Sequence, residues 1–199
     1  MTDWSVIVIV HVKFMTPQIG KEKLLSSALT LFSKQGFHET SVSQIAKAAA
    51  VSKGLTYNYF KSKEELLLAI INKASEDMFT VAEGMTTTGG YQMALHNFLK
   101  RYGVTLKTNK TYLSFQLSLL FEPSLKKIVQ VPLQQRANQL LSLTVTMFEK
   151  AGTNDATPLA RRFISELDGI ALHYLSVFEN YPLDEMLIQL YQNYKDISQ

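Results

Sequence analysis

Apolar residues recur along this chain at the three- and four-residue spacings of helices, and alternate like a strand only over residues 5–12. Leu24, Ala28, Leu31 and Phe32 stand at i, i+4, i+7 and i+8 behind the start signal Thr16-Pro17, and Gly36 ends the run, which predicts a first helix. Ser41, with Gln44 three residues on, forms a capping box ahead of Ile45, Ala46 and Ala49, so a short second helix follows, then a turn at Ala50 and Val51. Ser52 caps a third helix of barely two turns, which reaches about Phe60 before a break at Lys61. Ser62 with Glu65 is a second capping box. It opens a long fourth helix in which Leu66, Ala69, Ile70, Lys73, Ala74, Asp77, Met78 and Val81 keep the helical spacing as far as Gly84.

The segment GMTTTGG, residues 84–90, is the clearest linker and separates two unlike halves. Beyond it the pattern predicts five more helices over about 91–107, 110–121, 124–150, 157–180 and 183–196, interrupted at Asn109, Pro123, the GTND of 152–155 and Pro182. The expected fold is all-α with about nine helices: an N-terminal three-helix unit, joined by the long fourth helix to a C-terminal helical bundle. The expected division is an extension over 1–15, a DNA-binding-sized unit over 16–66 and the bundle over 67–199. The extension holds the strand-like MTDWSVIVIVHVKF, expected to be poorly ordered or loosely docked, and deleting residues 1–14 is expected to leave activity unchanged.

Composition narrows the function classes. A chain of 199 residues that is 46% hydrophobic and 19% charged has enough apolar mass for a real core, which argues against disorder. It has no cysteine, so disulfides, thiolate metal sites and cysteine nucleophiles are excluded. No apolar run approaches the roughly 18 to 20 residues of a membrane helix, and a cytoplasmic protein with no membrane partner is expected. Charge is uneven: residues 1–73 carry nine lysines against five acidic residues, net +4, while 74–199 carry eleven basic and twelve acidic residues, net −1. A basic N-terminal unit suits a polyanion. His11, His38, His96 and His173 are too scattered for a metal motif, and Asp168 in SELDGIALHY is a lone acid on a helix, so no metal, cofactor or catalytic set is expected.

Two short helices joined by a tight turn and braced by a third are the helix-turn-helix arrangement, whose second short helix enters the major groove. The side chains here fit that use. Ser41 and Ser52 mark helix N-termini, where free N–H groups and a positive partial charge suit a phosphate. Lys53 and Lys63 bracket the short helix and can neutralise further phosphates, while Gly54 lets backbone come close to DNA.

The stretch TSVSQIAKAAAVSKGLTYNYFKSKEELL over 40–67, with LLSSALTLFSKQGF before it, resembles the N-terminal DNA-binding domain of the tetracycline-repressor (TetR) family. The resemblance covers about residues 20–70. It implies that Ser43 and its neighbours touch the DNA backbone, that Lys53, Gly54 and Leu55 face base edges, that Tyr57 and Tyr59 reach phosphates, and that Lys63 binds another. Phe60 belongs to the core. Three positions depart from the family pattern: Gly20-Lys21 where Thr-Arg is frequent, Ala50 where glycine is favoured, and Leu55-Thr56 where Thr-Leu is common. The last reversal predicts that Thr56 turns inward and bonds back to the Ser52 carbonyl, leaving Leu55 to meet a thymine methyl.

In the second half, Phe163, Leu167, Ile170, Ala171, Tyr174 and Phe178 form one helical stripe, and Leu183, Met186, Leu187, Leu190, Tyr191 and Tyr194 another. Such stripes serve either as intramolecular core or as half of a four-helix dimer interface. The resemblance implies the second, hence a homodimer on a palindromic double-stranded DNA operator, with recognition helices about 34 Å or somewhat more apart. Large side chains over 91–150, including Phe98, Tyr102, Tyr112, Phe115 and Met147, predict core and room for an apolar cavity with His96, Tyr112 or Gln116 as polar anchors. The resemblance implies a small-molecule effector there, and so a transcriptional repressor released by its ligand. An all-α adaptor that uses the N-terminal unit for protein contacts is the alternative, and a steep salt dependence of binding separates the two.

Overall fold

In the computed structural model, residues 17–82 and 89–197 are described, with side chains over 18–73 and 89–197. The strand-like stretch at 5–12, the linker over 84–88 and the side chains of Ala74, Asp77, Met78 and Val81 lie outside the described residues. Nine α-helices follow in order: α1 (Pro17–Gln35), α2 (Val42–Ala48), α3 (Lys53–Tyr59), α4 (Lys63–Ala82), α5 (Gly90–Thr108), α6 (Lys110–Leu120), α7 (Lys126–Lys150), α8 (Ala156–Leu172) and α9 (Leu183–Tyr194). No strand occurs among the described residues.

The first four helices are delimited by their own side chains. Gly36 takes φ +85° and its N–H bonds to the Phe32 carbonyl, ending α1. At α2 the Ser41 hydroxyl accepts from the Gln44 N–H at 3.2 Å while the Gln44 amide oxygen accepts from the Ser41 N–H at 2.7 Å, a complete capping box. The Ser52 hydroxyl accepts from the Leu55 N–H at 3.2 Å to start α3. Ser62 does the same for Glu65 at 3.1 Å, but the Glu65 carboxylate reaches one residue further back than a simple box, to the Lys61 N–H at 2.6 Å.

The expected helix over 157–180 is shorter than its apolar pattern. α8 ends at Leu172 and continues as a five-residue π-helical turn, His173–Val177, after which Phe178 is extended. The wider turn is closed by the Phe178 N–H on the His173 carbonyl at 3.1 Å, and the rings of His173, Phe178 and Tyr181 gather there at 5.4 to 6.1 Å. Likewise α7 begins at Lys126 rather than 124, because Glu122 holds the preceding turn. Its carboxylate accepts from both the N–H and the hydroxyl of Ser124.

Burial is organised in two clusters. The first joins Leu24, Phe32, Ile45, Phe60, Leu66 and Ile71 of α1–α4 to Phe115 and Leu119 of α6 and to Leu125 and Val129 around the start of α7. The rings of Phe32 and Phe115 lie 6.0 Å apart, so the N-terminal core is closed by residues from the second half. The second cluster joins α5, α7, α8 and α9, with Phe148 and Phe163 at 5.6 Å and Phe163 and Tyr194 at 5.0 Å.

Candidate nucleic-acid interface

The turn between α2 and α3 depends on Ala50, the one described non-glycine residue with positive φ, at +53°. A left-handed alanine costs on the order of 1 kcal/mol, which the Val51 N–H offsets in part by bonding the Ala46 carbonyl at 3.0 Å. Ser52 then caps α3, and Phe60 closes it with its ring buried.

Within α3 the two faces separate as the Leu55-Thr56 order predicts for Thr56. That residue is 0% exposed, and its hydroxyl donates to the Ser52 carbonyl at 3.0 Å. Lys53, Gly54 and Tyr57 lie on the solvent side. A Cβ at Gly54 would meet nothing within 4 Å, so intramolecular packing does not require glycine there. Leu55 and Tyr59 are half-buried against the first core cluster, which leaves each only one edge to offer outward. Ser41 and Ser43 at the start of α2 are exposed. The Ser41 and Ser52 hydroxyl oxygens are occupied as cap acceptors, and their O–H groups remain able to donate.

Lys63 has an internal role that the sequence did not signal. Its ammonium donates to the carbonyls of Phe37 at 2.7 Å and His38 at 3.1 Å, and sits 4.4 Å from the Phe37 ring centre. Two of its three donors are therefore spent pinning the start of α4 to the turn after α1. Lys21, in the departure Gly20-Lys21, stands 5.9 Å from the Phe60 ring, beside the end of α3.

The same turn after α1 is tied to the second half. His38 Nε2 lies 2.7 Å from the Ser124 hydroxyl, which donates to Glu122 at 2.5 Å. With the serine proton committed to the carboxylate, the imidazole must be the donor to Ser124. Hydrogen bonds from Ser124, followed by the charge of His38, hold the Glu122 carboxyl below its ordinary range.

In the bundle, a cavity of about 330 Å³ opens among α5, α6, α7 and α8. Of the expected pocket residues, Tyr102 and Gln116 line it. Tyr112 instead borders a smaller neighbouring cavity of about 210 Å³ among α1, α4, α5 and α6, which shares Thr105 and Leu113 with the first. Phe115 belongs to the N-terminal core, and His96 is exposed, edge-on to Tyr191 at 5.6 Å. Neither is a pocket residue. The sequence missed the charged groups on the wall, Arg136 and Asp168. Burial lowers the Arg136 pKa, opposed by Tyr112 and Asp168, and burial raises that of Asp168, opposed by Arg136. Burial also pushes the Tyr102 phenol far up, while its hydroxyl donates to the Leu167 carbonyl at 2.9 Å.

The expected interface residues are corrected in the same way. Phe163, Leu167, Ile170, Leu187, Leu190 and Tyr194 are buried in the chain's own second core, so they cannot form an outward face. Tyr174 is half-buried, Phe178 has left the helical stripe through the π turn, and Met186 is exposed. The outward groove between α8 and α9 is bordered instead by Glu166, Gly169, His173, Met186, Gln189 and Asn193.

An all-α chain with a capped helix-turn-helix on a basic unit, followed by a helical bundle with an internal cavity, defines a helix-turn-helix DNA-binding protein. Residues 24–70 match the family described as Bacterial regulatory proteins, tetR family. The chain is 37% identical over 132 residues to the HTH-type transcriptional regulator YuxN of Bacillus subtilis, an alignment covering 62% of this chain and 45% of that protein. It is 26% identical over 163 residues to the regulator BetI of Vibrio atlanticus, covering 78% of this chain and 80% of BetI. The chain thus spans less than half the length of YuxN but most of BetI. The fold matches that of SCO4454, a TetR-family transcriptional regulator from Streptomyces coelicolor, with a TM-score of 0.76, 15% identity, and coverage of 92% of this chain and 97% of that one. The chain belongs to the TetR family. Among the described residues no helix is long and apolar enough to cross a membrane, and no group of metal-ligating side chains gathers.

Proposed function

We propose that the chain is a transcriptional repressor that binds a palindromic operator as a homodimer and leaves it when a small molecule enters the cavity among α5, α6, α7 and α8. One observation carries this coupling. Helices α6 and α7 wall the cavity through Gln116, Leu117, Leu133 and Arg136, and the same stretch completes the core beneath the helix-turn-helix through Phe115, Leu119, Leu125 and Val129. A ligand that favours a different placement of α6 or α7 therefore repacks the support of α3. It lowers operator affinity by its differential affinity for the two arrangements. The His38–Ser124–Glu122 chain adds a polar tie along the same route.

On the DNA, exposed Lys53, Gly54 and Tyr57 lead, Leu55 and Tyr59 contribute their outer edges, and the N-termini of α2 and α3 receive phosphates at Ser41, Ser43 and Ser52. Lys63 contributes its remaining donor and mainly positions α4. The dimer forms through the outward faces of α8 and α9, where a Cβ at Gly169 would meet nothing in the monomer and a partner helix can come close.

The test is selection of DNA from a random library by the full chain, followed by binding titrations at several salt concentrations. An enriched inverted repeat, with affinity that falls steeply as salt rises, is expected. Association that ignores salt, or no enriched sequence, would sink the DNA-binding proposal in favour of protein contacts. Gly169→Arg should give a folded monomer by light scattering; an unchanged dimer would place the interface elsewhere.

A further inference from the structure

The wall of the larger cavity is mostly apolar, with Phe98, Leu106, Leu117 and Leu140 among its side chains, and it carries one guanidinium, Arg136, and one carboxylate, Asp168. We infer that its ligand is an uncharged amphiphile, with an apolar body and a head group that presents a hydrogen-bond acceptor to Arg136 and a donor to Asp168. The inference rests on the cavity being the effector site proposed above.

The argument is one of charge balance in a space that excludes bulk water. Arg136 stands on α7 and Asp168 on the neighbouring α8, and their formal charges cancel. The remaining polar liners are neutral, and the Tyr102 hydroxyl is committed to the Leu167 carbonyl. An anionic head would add a second negative charge beside Asp168, whose ionised form burial already disfavours. A cationic head would face Arg136, which cannot shed its proton. Either ion leaves the cavity with a net charge that the apolar wall does not solvate. A neutral head that both donates and accepts, such as a primary amide or adjacent hydroxyl and carbonyl groups, satisfies both side chains without that cost.

Three ten-carbon probes separate these cases: decanamide, decanoate and decylammonium, titrated calorimetrically into the full-length protein at neutral pH. Decanamide is expected to bind at least about tenfold more tightly than either ion. Asp168→Asn should move the preference to decanoate and Arg136→Gln to decylammonium. If either variant fails to fold, the wild-type ranking alone decides. An ion that binds wild type as tightly as the amide, and whose binding is lost in the cavity-filling Ala137→Trp, overturns this inference and leaves the effector site standing. Failure of all three probes, or binding indifferent to Ala137→Trp, overturns the effector site and the inference with it.

Discussion

The two halves of this chain begin their helices differently. Helices α2, α3 and α4 each start on a serine whose hydroxyl accepts a backbone N–H three residues on. Helices α5 to α9 start at Gly89, Asn109, Leu125, Asp155 and Pro182, and none of these makes a side-chain cap bond. The short helices could not persist on propensity alone, since two turns are below the length at which nucleation is recovered. Local hydrogen bonds therefore set their limits, whereas the long helices of the bundle are limited by what they bury.

The strongest way to break that comparison is to attack the N-terminal unit from outside it. Phe115→Ala, on α6, removes the ring stacked near Phe32 and should cost about 3 to 5 kcal/mol, with loss of DNA binding, in denaturant titrations followed by operator binding. A variant that unfolds like wild type would mean that caps alone hold the unit. Next come the caps themselves. Ser52→Ala should destabilise by about 0.5 to 2 kcal/mol, while Asp155→Ala, at a helix start without a side-chain bond, should change thermal stability by no more than a few tenths of a kcal/mol. Equal effects would erase the distinction.

Gly54→Ala sharpens the contrast between folding and function at one residue. The open space around Gly54 predicts a gain of about 0.5 to 1 kcal/mol in stability from helix propensity, together with weaker operator binding by fluorescence anisotropy. Unchanged binding would show that no backbone approach occurs there. The smallest effect concerns Glu122. Its carboxyl is held below 4.5, so its contribution is present above the unfolded pKa and is lost as pH falls through the folded one. Melting temperatures of wild type and Glu122→Gln should differ at neutral pH and converge on acidification; curves that stay parallel would remove Glu122 from the account.

The same contrast explains what the sequence disclosed. Ser41 with Gln44, Ser52, the left-handed Ala50 and the inward Thr56 were all legible because each is decided within four residues of chain. The stripes of α8 and α9 were legible as stripes, but a stripe does not say which surface covers it, and Phe163 and Leu187 proved to cover each other's neighbours inside one chain. The π turn at 173–177 was hidden because its extra residue leaves the composition unchanged and only rotates Phe178 off the line. Lys63 was misweighted, since its carbonyl partners lie about 25 residues earlier in sequence. Arg136 and Asp168 gave no local signal, and only the packing of α7 on α8 brings them to one wall.

Because Phe115, Leu119, Leu125 and Val129 finish the core under α1 and α4, the DNA-reading head of this protein is not a portable cartridge. A chimera that joins residues 17–82 to a foreign sensor would carry an open apolar underside, and would need α6 and the first turn of α7 grafted along with it. Specificity swaps among relatives are better made by exchanging surface residues of α3 than by cutting at the linker.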